Sequence, residues 1–203
     1  TIRDFVMRRG KRLASCTTLM TYYGYTNRID DDILQACCAV ELYRHAILIH
    51  DDVVDLDEFR RGEKTIHRIF GEKFDERFGW GSAIFSGDIL FPLSIETMLN
   101  TSFPIERKVK AAEILLSTFR EVNESQVLDL LFEYTSPGLD EWKTMVDKRA
   151  VTLFRAAIIP GAILAGVSNM ELSRLNFIAK NLGYAFDIQD DLIDTFASSE
   201  SYG

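Results

Sequence analysis

Only four prolines, at 92, 104, 137 and 160, interrupt this chain of 203 residues, and the segments between them carry apolar residues at three- and four-residue spacing. An α-helix shows that period to a core, and nothing in the chain alternates like a strand for more than a few residues. The expected fold is therefore all-α, a helical bundle in one unit, since no repeat, low-complexity tract or Pro/Gly/Ser-rich linker divides it. Helices are predicted at about 2–24, 30–54, 80–100, 104–134, 139–167 and 171–196. Asp30 or Asp31 can cap the second, Pro104 suits the first turn of the fourth, and Pro137-Gly138 marks a turn. Pro160 is expected to kink or break the fifth helix, because it removes a backbone donor in mid-pattern. The charged stretch 56–78, with Arg60-Arg61-Gly62, is expected to be a loop and a place for a site.

Composition excludes some functions. With 31 Asp+Glu against 23 Lys+Arg, a net charge of −8, there is no basic block to neutralise a run of phosphates, so a nucleic-acid partner is not expected. Cys16, Cys37 and Cys38 have no metal-ligand spacing and read as reduced core thiols of a cytosolic protein, which implies a cytoplasmic location. No uncharged stretch exceeds 15 residues, and the most apolar of that length, Ala156 to Met170, includes Pro160, Gly161 and Gly166. It is too short to span a bilayer, and no transmembrane segment is expected. The opening TIRDFVMRRGKR is not the basic-then-apolar pattern of a secretory leader. The closing DTFASSESYG follows a patterned helix directly, so either a partner subunit covers that face or the sequence is a fragment.

The densest chemical feature is His50-Asp51-Asp52-Val53-Val54-Asp55, followed by Asp57 and Glu58. On a helix Asp51 and Asp55 stand one turn apart with Asp52 beside them, and such carboxylates raise one another's pKa unless a cation neutralises them. For one cluster alone, a solvated acidic helix end is the commoner outcome. The pattern returns, however, as Asp190-Asp191-Leu192-Ile193-Asp194. With 17 aspartates in the chain, two DDxxD matches arise by chance on the order of one time in a hundred. Both follow very apolar stretches, where a carboxylate triplet is costly unless compensated. Two such triplets suit Mg²⁺ ions that bridge carboxylates to phosphates. Lys11, Arg12, Arg60, Arg61, Lys148 and Arg149 supply cations, and arginine's planar fork suits phosphate oxygens. Singly, each basic residue reads as a solvated surface charge; the ensemble points to a diphosphate held between two metal-carboxylate clusters.

These residues resemble the trans-isoprenyl diphosphate synthases, or polyprenyl synthetases. The resemblance runs through GKRL at 10–13, ELYRHAILIHDDVVDLDEFRRGEKTIH at 41–67, SGDIL at 86–90, Gln126 with Asp129, LFRAAIIPGAILAG at 153–166 and YAFDIQDDLID at 184–194. It implies an isoprenoid synthase-type bundle round a central cavity, usually a homodimer, with a heteromer left open. It further implies Mg²⁺ on Asp51, Asp52 and Asp55 for the allylic diphosphate and on Asp190, Asp191 and Asp194 opposite. Arg60 would grip the allylic diphosphate, and Lys11 and Arg61 would hold isopentenyl diphosphate. The implied product, like that of a geranylgeranyl diphosphate synthase, is an all-trans prenyl diphosphate of about twenty carbons or slightly more. Tyr43, Ala46 and Ile47 precede the first motif on its helix. Ala46 is expected to leave the cavity open, with Tyr43 one turn deeper as its floor.

Several positions depart from the family pattern. Ala14 and Ser15 replace a second arginine and a proline after GKRL, Arg44 replaces a histidine, Arg149-Ala150 replaces Lys-Thr, and Asp187 replaces a glutamine before the second motif. Arg44 is expected to substitute for the arginine missing at 14. The family also continues past the end of this sequence, so residues 1–203 are expected to be one domain without the family's C-terminal helices. Two rival readings are a non-catalytic or regulatory subunit of a heteromeric synthase, and a class I terpene cyclase. The cyclase is weakened by the second DDxxD.

Overall fold

The computed structural model describes residues 2–196, apart from the side chain of residue 194. Its elements run α1 (Ile2–Met7), α2 (Leu13–Thr26), α3 (Asp31–Val54), a short antiparallel hairpin of β1 (Phe59–Arg60) and β2 (Glu63–Lys64), α4 (Ile66–Lys73), α5 (Glu76–Leu99), α6 (Ile105–Phe132), α7 (Leu139–Val146), a π-helical turn (Asp147–Val151), α8 (Thr152–Ala165) and α9 (Asn169–Phe196). The all-α expectation holds.

Helix ends follow local chemistry. Asp30 Oδ1 accepts from Ile33 N at 3.0 Å and so caps α3, and Asp75 Oδ1 accepts from Phe78 N at 2.8 Å to start α5; each satisfies a donor the first turn would otherwise leave open. Pro104 is the cap residue of α6. Central α3 carries Ile33, Ala36, Val40, Tyr43, Ala46 and Ile49 at 0–1% exposure, with α5 lying along one side and α2 and α8 packed together on another. By length and composition α5 could cross a membrane. Here Gly79, Ala83, Ser86 and Leu90 of α5 are buried.

Three predicted elements are corrected. The helix expected over 2–24 is broken at 8–12, where Arg12 takes a left-handed backbone, φ 50°, directed by side-chain bonds that no periodicity reveals. The loop expected over 56–78 contains the hairpin and α4; with only two turns, the apolar face of Ile66, Ile69 and Phe70 is too short to stand out as a period among the flanking charges. The fifth helix is not broken at Pro160, which lies inside α8. Its ring removes the donor for Ala156 O, but the turn is held from outside, since the Thr18 hydroxyl donates to Ala157 O at 2.7 Å. The irregularity is the π-helical turn at 147–151 instead.

Candidate active site

The β1–β2 hairpin sets Arg60 opposite Glu63 and turns through Arg61 and Gly62, at φ 57° and 77°. Two successive positive φ values are the geometry of a tight type I′ hairpin turn. Gly62 takes it freely. For Arg61 it costs roughly 1–2 kcal/mol, so contacts of its side chain must hold it there.

Arg60 reaches back to the end of α3. Its Nε donates to Asp52, and its Nη2 donates to Asp51 at 3.3 Å and to Asp57 at 3.1 Å. Burial works against the guanidinium charge, but Asp52, Asp51 and Asp57 outweigh it and raise the pKa. The carboxylates remain in excess. Burial pushes Asp52 up to about 6 despite Arg60, and burial with Asp51, Asp57 and Asp129 nearby pushes Asp55 up to about 6. Burial also raises Asp51 against the pull of Arg60 and Arg44.

Arg149 plays the corresponding part on the other side. From the π-helical turn it donates to Asp187 Oδ1 through Nε at 3.1 Å and Nη2 at 2.9 Å, and to Asp129 Oδ1 through Nη1 at 3.4 Å. Asp191 stands 3.9 Å away. These acids outweigh burial and raise the Arg149 pKa. Arg149 also acts on Asp51 and Asp129 on Asp55, so the two aspartate motifs border one region with Asp129 and Arg149 between them. Gln126 lies half-buried on α6, one turn before Asp129. Asp190 and Asp191 belong to α9, as does the backbone of Asp194, whose side chain lies outside the described residues.

The basic residues do not all converge. Lys11 is exposed beside Arg12. Arg12, expected at the substrate, is committed to the protein: Nη1 donates to Glu41 Oε2 at 2.8 Å and Nη2 to Val6 O and Arg8 O, both at 2.7 Å. Lys148 pairs with Glu124 in a separate cleft of about 450 Å³ shared with Glu121, Asp147, Arg155 and Lys180. Adjacent residues on a helical turn point in different directions, and Arg149 takes the inward one. Arg44 is half-buried on α3 and, among the described residues, makes no hydrogen bond or ion pair. Burial lowers its pKa against the attraction of Asp51, with Arg60 and Arg61 also acting on it.

The expected chain-length residues are rearranged too. Ala46 borders no open space; at 0% exposure it packs with Phe5, Ile49, Ile66, Ala83 and Leu90, because its side of α3 faces α5 and α4. Ile47 is buried in the main core. Tyr43 is 1% exposed and meets Phe91 and Phe119 at ring-centroid distances of 6.4 and 6.2 Å. Those two rings stack at 3.7 Å and 9°, and Phe119 also lies 6.3 Å from His50. The stack therefore stands between the levels of His50 and Tyr43 on α3. Ala46→Phe is expected to overpack the core and lower stability by about 1–3 kcal/mol, read as a fall in the midpoint of thermal unfolding. An unchanged midpoint would mean that Ala46 borders free space after all.

The sequence brings Asp57 into the acidic run and Asp129 into the family match without giving either a role, and it gives no sign of His45, Phe91 or Phe119. A lone histidine and two helix phenylalanines carry no local signal of their roles.

Among the described residues no group of three or more His, Cys, Asp and Glu side chains stands ready to hold a metal ion. The donor set still suits a hard cation. Asp51, Asp52 and Asp57 share the guanidinium of Arg60, with Asp55 beside them, and Asp52 Oδ2 and Asp187 Oδ2 are buried without a hydrogen-bond partner.

Comparison with known proteins gives the family and the fold. The chain is 34% identical over 197 residues to a short chain isoprenyl diphosphate synthase of Methanocaldococcus jannaschii, covering 96% of this chain and 56% of that protein. It is 36% identical over 173 residues to a geranylfarnesyl diphosphate synthase of Natronomonas pharaonis, covering 85% and 48%. A polyprenyl synthase of Caulobacter crescentus, solved with calcium and isoprenyl diphosphate, superposes with a TM-score of 0.81 at 30% identity, covering 96% of this chain and 56% of that one. The chain thus spans about half the length of the curated relatives it matches. The polyprenyl synthetase family model matches residues 1–203, and the chain belongs to that family.

Proposed function

We propose that this protein is an Mg²⁺-dependent prenyltransferase that condenses isopentenyl diphosphate with an allylic diphosphate to give an all-trans prenyl diphosphate of about C20 or slightly longer. The observation that carries this reading is the excess of carboxylate over cation on both sides of one region, held round Arg60 and Arg149, with one buried oxygen of Asp52 and one of Asp187 left unpaired. Asp51, Asp52 and Asp55 would hold Mg²⁺ on one side and Asp190, Asp191 and Asp194 on the other, where it would offset the charge of the departing diphosphate. The binding of calcium and isoprenyl diphosphate by the Caulobacter enzyme supports a divalent cation in such a site.

The chain's own groups supply the rest. Arg60 presents a charged fork beside the first motif and stabilises the oxygens of the leaving allylic diphosphate. Lys11, Arg44 and Arg61 hold isopentenyl diphosphate, so its double bond attacks the allylic carbon as the carbon–oxygen bond breaks. A proton is then lost from the new tertiary cation to restore an alkene. The Tyr43, Phe91 and Phe119 rings exclude water from that cation and form the floor of the tail's path. Arg12 braces the loop that carries Lys11. The molecule acts as a homodimer through α5, whose Phe85, Ile89 and Leu93 are 67%, 59% and 42% exposed at four-residue spacing. Its three free thiols suit the cytoplasm.

The test is the product spectrum of purified protein given labelled isopentenyl diphosphate, each allylic diphosphate and Mg²⁺. Linear products near C20 are expected. Cyclised hydrocarbons would overturn the reading in favour of a cyclase, and no elongation of any primer in favour of a non-catalytic subunit. In the same assay Phe119→Ala and Tyr43→Ala should each lengthen the product, and an unchanged product from both would place the floor elsewhere. Arg44→Ala should raise KM for isopentenyl diphosphate by about 10-fold or more, through loss of a charge-assisted contact, and leave the allylic KM little changed. Equal changes in both constants would remove Arg44 from that site.

A further inference from the structure

We infer that His45 is a positioning residue, a buried neutral imidazole that joins two basic loops and fixes the guanidinium of Arg61 for the second diphosphate. This rests on the proposed role of Arg61 toward isopentenyl diphosphate.

The His45 ring is 0% exposed. Its Nδ1 lies 2.7 Å from Glu41 O; a carbonyl can only accept, so Nδ1 carries the proton. Nε2 then offers a lone pair, and two guanidinium N–H groups point at it, Arg61 Nη1 at 3.2 Å and Arg12 Nη1 at 3.3 Å. All three contacts agree on one neutral tautomer. Burial lowers the His45 pKa against the carbonyl bond and the charge of Glu41, and the nearby Arg61 and Arg12 add to the lowering. Besides these arginines, the charged group facing the ring is Glu41, on the same helix, whose Oε2 lies 3.7 Å from Nδ1. Phe5 of α1 meets the ring edge-on at 5.9 Å.

The two arginines come from segments 49 positions apart in the sequence, and both have left-handed backbones, φ 50° at Arg12 and 57° at Arg61. A shared acceptor explains why both keep that conformation. Gly10 seals the junction, since a Cβ there would come within 2.9 Å of the Arg61 guanidinium. The chemistry of the acceptor matters. Glu41 pairs with Arg12 and cancels its charge. The imidazole lone pair holds Arg61 without cancelling its charge, so the full positive charge stays available to an anion. A carboxylate in place of His45 would fix the same geometry and spoil the electrostatics.

The test compares KM for both substrates, kcat, and the thermal unfolding midpoint in wild type, His45→Leu, His45→Asn, His45→Gln and Arg61→Ala. His45→Leu keeps bulk without the acceptor, His45→Asn keeps a donor for Glu41 O without an acceptor for Arg61, and His45→Gln can return a carbonyl toward both arginines. The expected result is a rise of about 10-fold or more in KM for isopentenyl diphosphate in the Leu and Asn variants. The allylic KM and kcat should stay within about twofold, with most of the loss recovered in His45→Gln. If the Leu variant does not fold, the Asn and Gln pair carries the comparison. A parallel rise in both substrates' KM values together with a fall in the unfolding midpoint would make His45 a core residue only and overturn the inference. If Arg61→Ala raises KM for isopentenyl diphosphate and the His45 variants do not, the inference alone fails. If Arg61→Ala changes nothing, the assignment of the second diphosphate site fails with it.

Discussion

Asp51→Ala in the purified protein is expected to lower kcat/KM by at least about 10²-fold, because it removes charge stabilisation from the leaving diphosphate. Asp51 is the more informative target of the adjacent pair. Asp52 is 1% exposed and bonded to Arg60, so its loss would also disturb the end of α3, whereas the Asp51 side chain is 31% exposed. Excess EDTA should abolish turnover and added Mg²⁺ restore it. Protons should compete for the same oxygens. With Asp52 and Asp55 titrating near 6, Mg²⁺ affinity measured by calorimetry should fall as pH drops through 6 and rise above it, with proton release on binding. Full turnover by Asp51→Ala, or in EDTA, would show that the carboxylates serve some other purpose.

Arg149→Ala is expected to lower stability by about 3 kcal/mol, because it leaves buried Asp187 without its ion partner. At this chain length that corresponds to a fall in melting temperature of roughly 6–12 °C. The Asp187 side chain is 5% exposed, one of its oxygens already has no hydrogen-bond partner, and the other takes two bonds from Arg149. The two residues are also the positions where Lys and Gln of the family pattern are both exchanged, so the exchanges read as coupled. Arg149→Lys with Asp187→Gln should therefore cost much less than the two single changes added together. Strict additivity in that double-mutant cycle would mean that the exchanges arose independently of the pair.

Helix positions, the spacing of each aspartate triplet and the charge excess at Asp51, Asp52 and Asp55 were legible in the sequence, because each depends on residues within one or two turns of one another. The same local logic offered Asp30 or Asp31 as a cap and Pro104 for a first turn, and the structure has Asp30 and Pro104 as the cap residues. It failed where partners lie far apart along the chain. Arg12 reads as a substrate ligand until Glu41 and the carbonyls of Val6 and Arg8 take its donors. Lys148 and Arg149 look equivalent until the π-helical turn sends one to Glu124 and the other to Asp187. Ala46 looks like an opening until α5 packs over it. His45 acquires a role only when two loops fold onto one imidazole nitrogen. Local sequence fixes which groups are available and their spacing on a helix. Which donor meets which acceptor is decided by packing between distant elements, because a buried charge must find its partner in three dimensions.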